Sequence, residues 1–135
     1  MSDCIFCKIV NNEIPSKKIS ENDKAVAFLD LYPVSLGHTI VIPKKHFDSF
    51  SECDDEYLCA VSKLAKQVAN TLKEANLGIE GFNYLSNEKA IAGQVINHYH
   101  FHVIPKYKQD KGFKTQHIED EFTEQQNTIL NSLVK

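Results

Sequence analysis

The chain has 135 residues, 42% hydrophobic and 24% charged. That is the make-up of one folded domain and excludes a disordered chain. Fifteen Lys and Arg against 18 Asp and Glu leave a formal charge of −3, which excludes a strongly basic nucleic-acid binder.

No apolar run approaches the ~18 residues that span a bilayer. Met1-Ser2-Asp3-Cys4 lacks the basic start and apolar core of a secretory leader. The expectation is a cytoplasmic chain with no membrane partner, whose four cysteines stay reduced. Cys53 and Cys59 read as ordinary thiols. Cys4 and Cys7 form a C-x-x-C pair.

In chain order, the first fifty residues read as turns and strands. Ala25 to Leu29 is short and apolar. Thr39 to Ile42 is rich in β-formers, follows the turn at Gly37-His38, and stops at Pro43, which cannot donate to a ladder. From Asp54 to about Ala75 the period changes. Tyr57, Leu58, Val61, Leu64, Ala65, Val68 and Leu72 recur at helical spacing, with Asp54 as the N-cap and Gly78 just past the end. Strands are expected over Gly81 to Ser86 and about Val95 to Ile104. An amphipathic pattern from Phe122 to Val134 predicts a short terminal helix. The fold class is α+β, an antiparallel sheet with one long helix and a short C-terminal one.

The segment His98-Tyr99-His100-Phe101-His102-Val103-Ile104 carries the chemistry. Strand side chains alternate faces, so the three histidines share one face, while Tyr99, Phe101 and Val103 share the other. At ~3.3 Å per residue, His98 and His102 lie roughly 13 Å apart at Cα. One zinc, with Zn–N near ~2.0 Å, cannot take all three. At least one imidazole is free to act as nucleophile, base or acid. Ala92-Gly93-Gln94 precedes this strand. Gly93 permits close backbone approach to a ligand, and Gln94 carries amide donors.

With its apolar residues between and after the histidines, the segment resembles the signature of the histidine triad superfamily. Cys4-Ile5-Phe6-Cys7-Lys8-Ile9 with Glu13-Ile14-Pro15, Phe28-Leu29-Asp30, Gly37 through His46, Asn87, Ala92-Gly93-Gln94 and Ile104-Pro105-Lys106-Tyr107 are similar to further blocks of its Hint branch. The similarity spans roughly Cys4 to Phe113. Residues 1–113 are therefore expected to form that domain, with 114–135 a C-terminal extension packed on it.

The resemblance implies a two-fold homodimer with a continuous sheet. It also implies hydrolysis or transfer at the α-phosphate of a purine nucleoside phosphoramidate. The alternatives are a dinucleoside polyphosphate hydrolase and a nucleotide-binding regulatory protein with little turnover. By position, His100 matches the nucleophile that forms a nucleotidyl-histidine, and His102 a residue on the α-phosphate. Asp30 matches the ribose acceptor. Ile5, Phe6, Ile9, Phe28 and Leu31 match the base pocket, and Asn87, Gly93, Gln94 and Val95 the phosphate-side loop. On residue type alone the apolar five would be core, and Asp30 a turn residue.

The C-x-x-C pair alone reads as zinc, redox or accident. A redox pair would need a βαβ context that is absent. In a subset of the family the pair joins two histidines in a structural Cys2His2 zinc site, matched here by Cys4, Cys7, His46 and His98. Metal-ligand hydrolysis through His98 and His100 is a third reading. His38 is either a support behind the triad or the start of a strand. The chain also departs from the pattern. Lys89 stands where many relatives have Gly, and a turn needing positive φ there would force a different loop. Val95 replaces a small hydroxyl residue, and there is no Trp.

Overall fold

The computed structural model describes residues 3–108 and 112–135. Residues 1, 2 and 109–111, inside the expected 1–113 unit, lie outside the described residues. The described elements are helix α1 (Ile5–Val10), strands β1 (Lys18–Glu21), β2 (Ala25–Leu29) and β3 (Thr39–Pro43), helix α2 (Asp55–Glu74), strands β4 (Gly81–Leu85) and β5 (Phe101–Lys106), and helix α3 (Glu124–Asn131). Among these residues the strands form one antiparallel sheet in the order β1-β2-β3-β5-β4. No helix of the described residues is long and apolar enough to cross a membrane.

Both faces of the central strands are covered, which is why β2 and β3 read as continuous apolar runs rather than alternating ones. Ala25, Ala27 and Val41 face α2, which buries Val61, Leu64, Ala65, Val68 and Leu72 against them. Val26, Phe28, Ile40 and Ile42 face the other way and meet Phe6 and Ile9 of α1. Tyr99 and Val103 project into the α2 layer. The histidines of the same segment therefore emerge on the α1 side.

Three sequence expectations change. Residues 5–10 are a helix, not turns and strands. Six residues are too few for a visible amphipathic period, and the turn forms because Cys4 caps it, accepting from the backbone N–H of Cys7 at 3.4 Å. The fifth strand begins at Phe101 rather than near Val95. Residues 96–98 form a bend, and the peptide N–H of Tyr99 bonds to the Phe47 carbonyl at 2.6 Å instead of joining the ladder. Asp54 occupies the N-cap position of α2, yet its carboxylate makes no capping hydrogen bond.

The last helix forms under a capping box between Thr123 and Gln126. Every residue from 114 to 135 is exposed.

Leu64 lies at the centre of the α2 face with no solvent exposure. Leu64→Ala is expected to cost about 2–5 kcal/mol of unfolding free energy. Lys66→Ala, on the exposed face, should stay within about 0.5 kcal/mol. Urea denaturation of both variants checks this.

Candidate active site and metal centre

One open cavity, about 370 Å³, is lined by residues from α1, β2 and the loops beside the histidine segment. Ile5, Phe6, Ile9, Phe28, Asp30, Leu31, Asn87, Gly93, Val95, His100 and His102 all reach it. These lie as far as 97 positions apart in the chain. Gln94 is the exception. It is buried, and its amide donates to the carbonyls of Asp48 and Ile96 at 2.6 and 3.0 Å while its oxygen accepts the Lys89 N–H at 2.8 Å. Its side chain builds the loop. Ile40, Pro15, Ser16, Tyr32 and Ile96 also line the cavity, and nothing in their spacing marks them.

Hydrogen bonds set the proton position on each histidine. His100 Nδ1–H donates to the carbonyl of His98 at 2.8 Å. Its Nε2 therefore carries a free lone pair. Ser86, which sequence reading did not single out, holds that stretch by donating to the His100 carbonyl at 2.7 Å. The Val34 N–H donates to His38 Nδ1 at 3.2 Å. His38 accordingly bears its proton on Nε2 and gives it to His102 Nδ1 at 3.0 Å. His102 then presents Nε2–H. His38 thus supports the triad from behind, and Asp30 Oδ2 lies 3.5 Å from the same His38 Nε2. Asp30 Oδ1 accepts the Tyr32 N–H at 3.0 Å.

Burial pushes the imidazoles of His38 and His100 below their ordinary range and that of His102 down to about 4. All three are neutral at neutral pH. The ring of Phe6 stands edge-on to His100 at 5.2 Å and to His98 at 5.8 Å.

On the far side of His98 lies a second cluster. Cys4 and Cys7 Sγ and the Nδ1 atoms of His46 and His98 all fall within 4.8 Å of one another. His98 Nε2–H donates to the Pro43 carbonyl at 3.1 Å, and His46 Nε2–H to Asp48 Oδ1 at 2.9 Å. Both Nδ1 atoms are therefore bare acceptors, and they face each other at 3.1 Å. Two lone pairs at that distance repel unless a cation lies between them. The sulfur contacts are 3.4 Å from Cys4 to His98 and 3.3 Å from Cys7 to His46. Edges of a tetrahedral zinc site are about 3.3 Å for N···N and about 3.5 Å for N···S, given Zn–N near ~2.0 Å and Zn–S near ~2.3 Å. The donor set fits a tetrahedral metal ion, with each imidazole oriented through its other nitrogen.

The loop bearing Asn87 and Gly93 carries strain. Gly93 has φ +103, and a Cβ there would sit 3.1 Å from Asn87 Nδ2. Lys89 has φ +75 and ψ 156, a region all but reserved for glycine. The loop does not change shape to suit the lysine; it holds the lysine in the strained conformation. Lys89 O accepts from Ala92 N at 3.0 Å and Gln94 N at 3.1 Å, and Lys89 N is bound by the Gln94 amide. Val95 is 88% exposed at the rim.

A sequence model of the HIT domain matches residues 11–109. An uncharacterized HIT-like protein of Mycoplasma genitalium is 58% identical over 112 residues, 83% of this chain and 79% of that protein. The adenosine 5'-monophosphoramidase of Schizosaccharomyces pombe is 42% identical over 109 residues, 81% of this chain and 78% of its own length. The crystal structure of a Zn-bound histidine triad family protein from Mycobacterium smegmatis superposes with a TM-score of 0.77 at 29% identity, covering 97% of this chain and 92% of that one.

Releasing the strained backbone outweighs the extra freedom of glycine in the unfolded chain. Lys89→Gly is expected to raise the unfolding free energy by about 1 kcal/mol. Lys89→Ala, which keeps the strain, should leave it within about 0.5 kcal/mol. Thermal unfolding of the two variants separates the cases.

Proposed function

The chain belongs to the HIT domain family, and from that premise we propose that it hydrolyses the P–N bond of purine nucleoside phosphoramidates through a nucleotidyl intermediate on His100. The observation that carries this is the free Nε2 of His100 at the cavity wall, its other nitrogen donating to the His98 carbonyl at 2.8 Å. A neutral imidazole so held is a nucleophile at neutral pH. His100 Nε2 attacks the α-phosphorus. The P–N bond breaks as the leaving nitrogen takes up one proton. Water then attacks the phosphorus, returns a proton to solvent and releases the nucleotide, restoring His100. His102 Nε2–H donates to a phosphoryl oxygen, and donors fixed there lower the barrier because charge spreads over those oxygens.

Asp30 accepts from the ribose hydroxyls. Ile5, Phe6, Ile9, Phe28 and Leu31 hold the base. Asn87, Gly93 and the backbone of Gln94 and Val95 flank the phosphate. Charge favours the phosphoramidate over the dinucleoside polyphosphate. Among the described residues lining the cavity none is Lys or Arg, and Asp30 is an acidic residue. Several adjacent phosphates would meet no balancing cation there, whereas one phosphoryl group is served by neutral donors.

Cys4, Cys7, His46 and His98 would hold a structural Zn2+, which ties α1 to the β3 exit and to the histidine segment and supplies folding energy rather than chemistry. The reduced thiols this requires support a cytoplasmic location. Residues 114–135 extend the domain formed by 1–113. The partner beyond the nucleotide is a second copy. β4 is an edge strand with one neighbour, and Tyr84 is 48% exposed on it between stacked Phe82 and Phe101. An open edge of this kind pairs with its own copy across a two-fold axis.

His100→Ala is expected to retain AMP binding within a few fold and lose turnover of adenosine 5'-phosphoramidate by at least about 10³-fold. Equal turnover in wild type and variant would reject the nucleophile. Asp30→Ala should weaken AMP binding by about 1.5–3 kcal/mol, the worth of a charge-assisted hydrogen bond, and leave 2',3'-dideoxy-AMP unaffected; calorimetric titration measures both. Light scattering on the eluting protein should return twice the mass of one chain, and the single-chain mass would overturn the two-fold assembly.

A further inference from the structure

We infer that the Cys4/Cys7/His46/His98 metal centre is thermodynamically coupled to the nucleotide cavity, so that metal occupancy sets nucleotide affinity and bound nucleotide holds the metal. The inference rests on the nucleotide and metal readings above. It asks something they leave open, whether the two sites act on each other.

Two covalent elements are shared between the sites. The first is His98. Its Nδ1 points into the metal cluster, 3.4 Å from Cys4 Sγ and 3.1 Å from His46 Nδ1. Its backbone carbonyl takes the Nδ1–H of His100 at 2.8 Å. A ligand that fixes residue 98 therefore fixes the acceptor that orients the nucleophile. The second is α1. Cys4 caps it and Cys7 lies within it, among Ile5, Phe6 and Ile9, which line the cavity. The ring of Phe6 sits between the two sites in space as well, 5.8 Å from His98 and 5.2 Å from His100.

A helix of six residues is too short to hold its place alone. Its anchors are the cluster at one end and the buried contacts of Phe6 and Ile9 with Val26, Phe28, Ile40 and Ile42. Without the metal, the facing lone pairs of His46 and His98 separate, and His98 and the first turn of α1 both lose their reference. Nucleotide binding would then have to order that wall and the His100 acceptor itself, at a cost in affinity.

Linkage makes the claim strict. If zinc tightens nucleotide binding by some factor, nucleotide must tighten zinc binding by the same factor. A metal that merely stabilises the fold carries no such obligation toward a folded protein.

The test uses the full chain in two measurements. AMP affinity is measured calorimetrically on zinc-loaded protein and on chelator-treated protein whose circular dichroism shows it folded. Zinc affinity is measured by competition with a chromophoric chelator, with and without saturating AMP. The second measurement is read under conditions where the chelator-treated protein stays folded by circular dichroism, so that AMP acts on the site and not on the folding equilibrium. The expected result is a factor of about tenfold or more, equal in both directions. With Co2+ in the site, AMP should also shift the visible cobalt absorption bands. AMP affinities within twofold with and without metal, or zinc affinity unmoved by AMP, would overturn the coupling and leave both sites standing. Loaded protein that binds no AMP would overturn the nucleotide reading, and protein that takes up no metal the zinc reading, each bringing the coupling down with it.

Discussion

The 2.8 Å hydrogen bond from His100 Nδ1–H to the His98 carbonyl is the constraint on which the site depends. It decides which ring nitrogen is bare and aims that lone pair into the cavity. It also explains a gap in the sheet. A regular strand would aim the carbonyls of 98 and 100 sideways into ladder bonds. Here the ladder starts at Phe101, and Ser86 takes up the His100 carbonyl. The irregular backbone before β5 is what frees a carbonyl for an imidazole.

The same logic runs through the other histidines. His38 is defined by a peptide N–H from Val34, His102 by His38, His98 by the Pro43 carbonyl and His46 by Asp48. His46, His98, His100 and His102 each have one nitrogen committed to the scaffold and one offered to a site, while His38 spends both, on Val34 and on His102. For His38, His98, His100 and His102, burial reinforces this by keeping the rings neutral, because the solvation a charged imidazole would lose outweighs the pull of Asp30 on His38, His100 and His102 and of Asp48 on His98. The cluster at Cys4 and Cys7 and the cavity are thus two outlets of a single hydrogen-bonded frame. They lie on one side of a sheet whose other side is packed by α2.

Much of this was legible in the chain. Helix α2 announces itself because twenty residues give an amphipathic period several turns over which to repeat. The common face of the three histidines follows from pleating and survives although only His102 lies in regular strand. Helix α1 was illegible for the opposite reason. It has too few residues for a period, and its apolar side chains serve a cavity wall as well as a core. Gln94 looked like a ligand donor because residue type shows donors and not their targets; its amide is consumed by the loop. Lys89 is a misfit by residue type, and the misfit persists as backbone strain held by three hydrogen bonds to Ala92 and Gln94.

By itself the sequence determined the fold class, the alternation that sets imidazoles against a packed apolar face, the family, and the kinds of atom available to bind phosphate or metal. These are properties of local periodicity and residue chemistry, which do not need distant parts of the chain. The tertiary structure decided which nitrogen of each histidine is free, that Cys4 and Cys7 meet His46 and His98, and that α1 walls the cavity. The free nitrogens of His98 and His102, the cysteine–histidine cluster and the place of α1 depend on contacts between segments far apart in the chain, such as Pro43 with His98 and His38 with His102; for His100, His38 and His46 the partner is near in sequence, and what the tertiary structure supplies is the backbone bend that brings it within reach. Proton position and lone-pair direction are set by those partners, and residue order does not encode them.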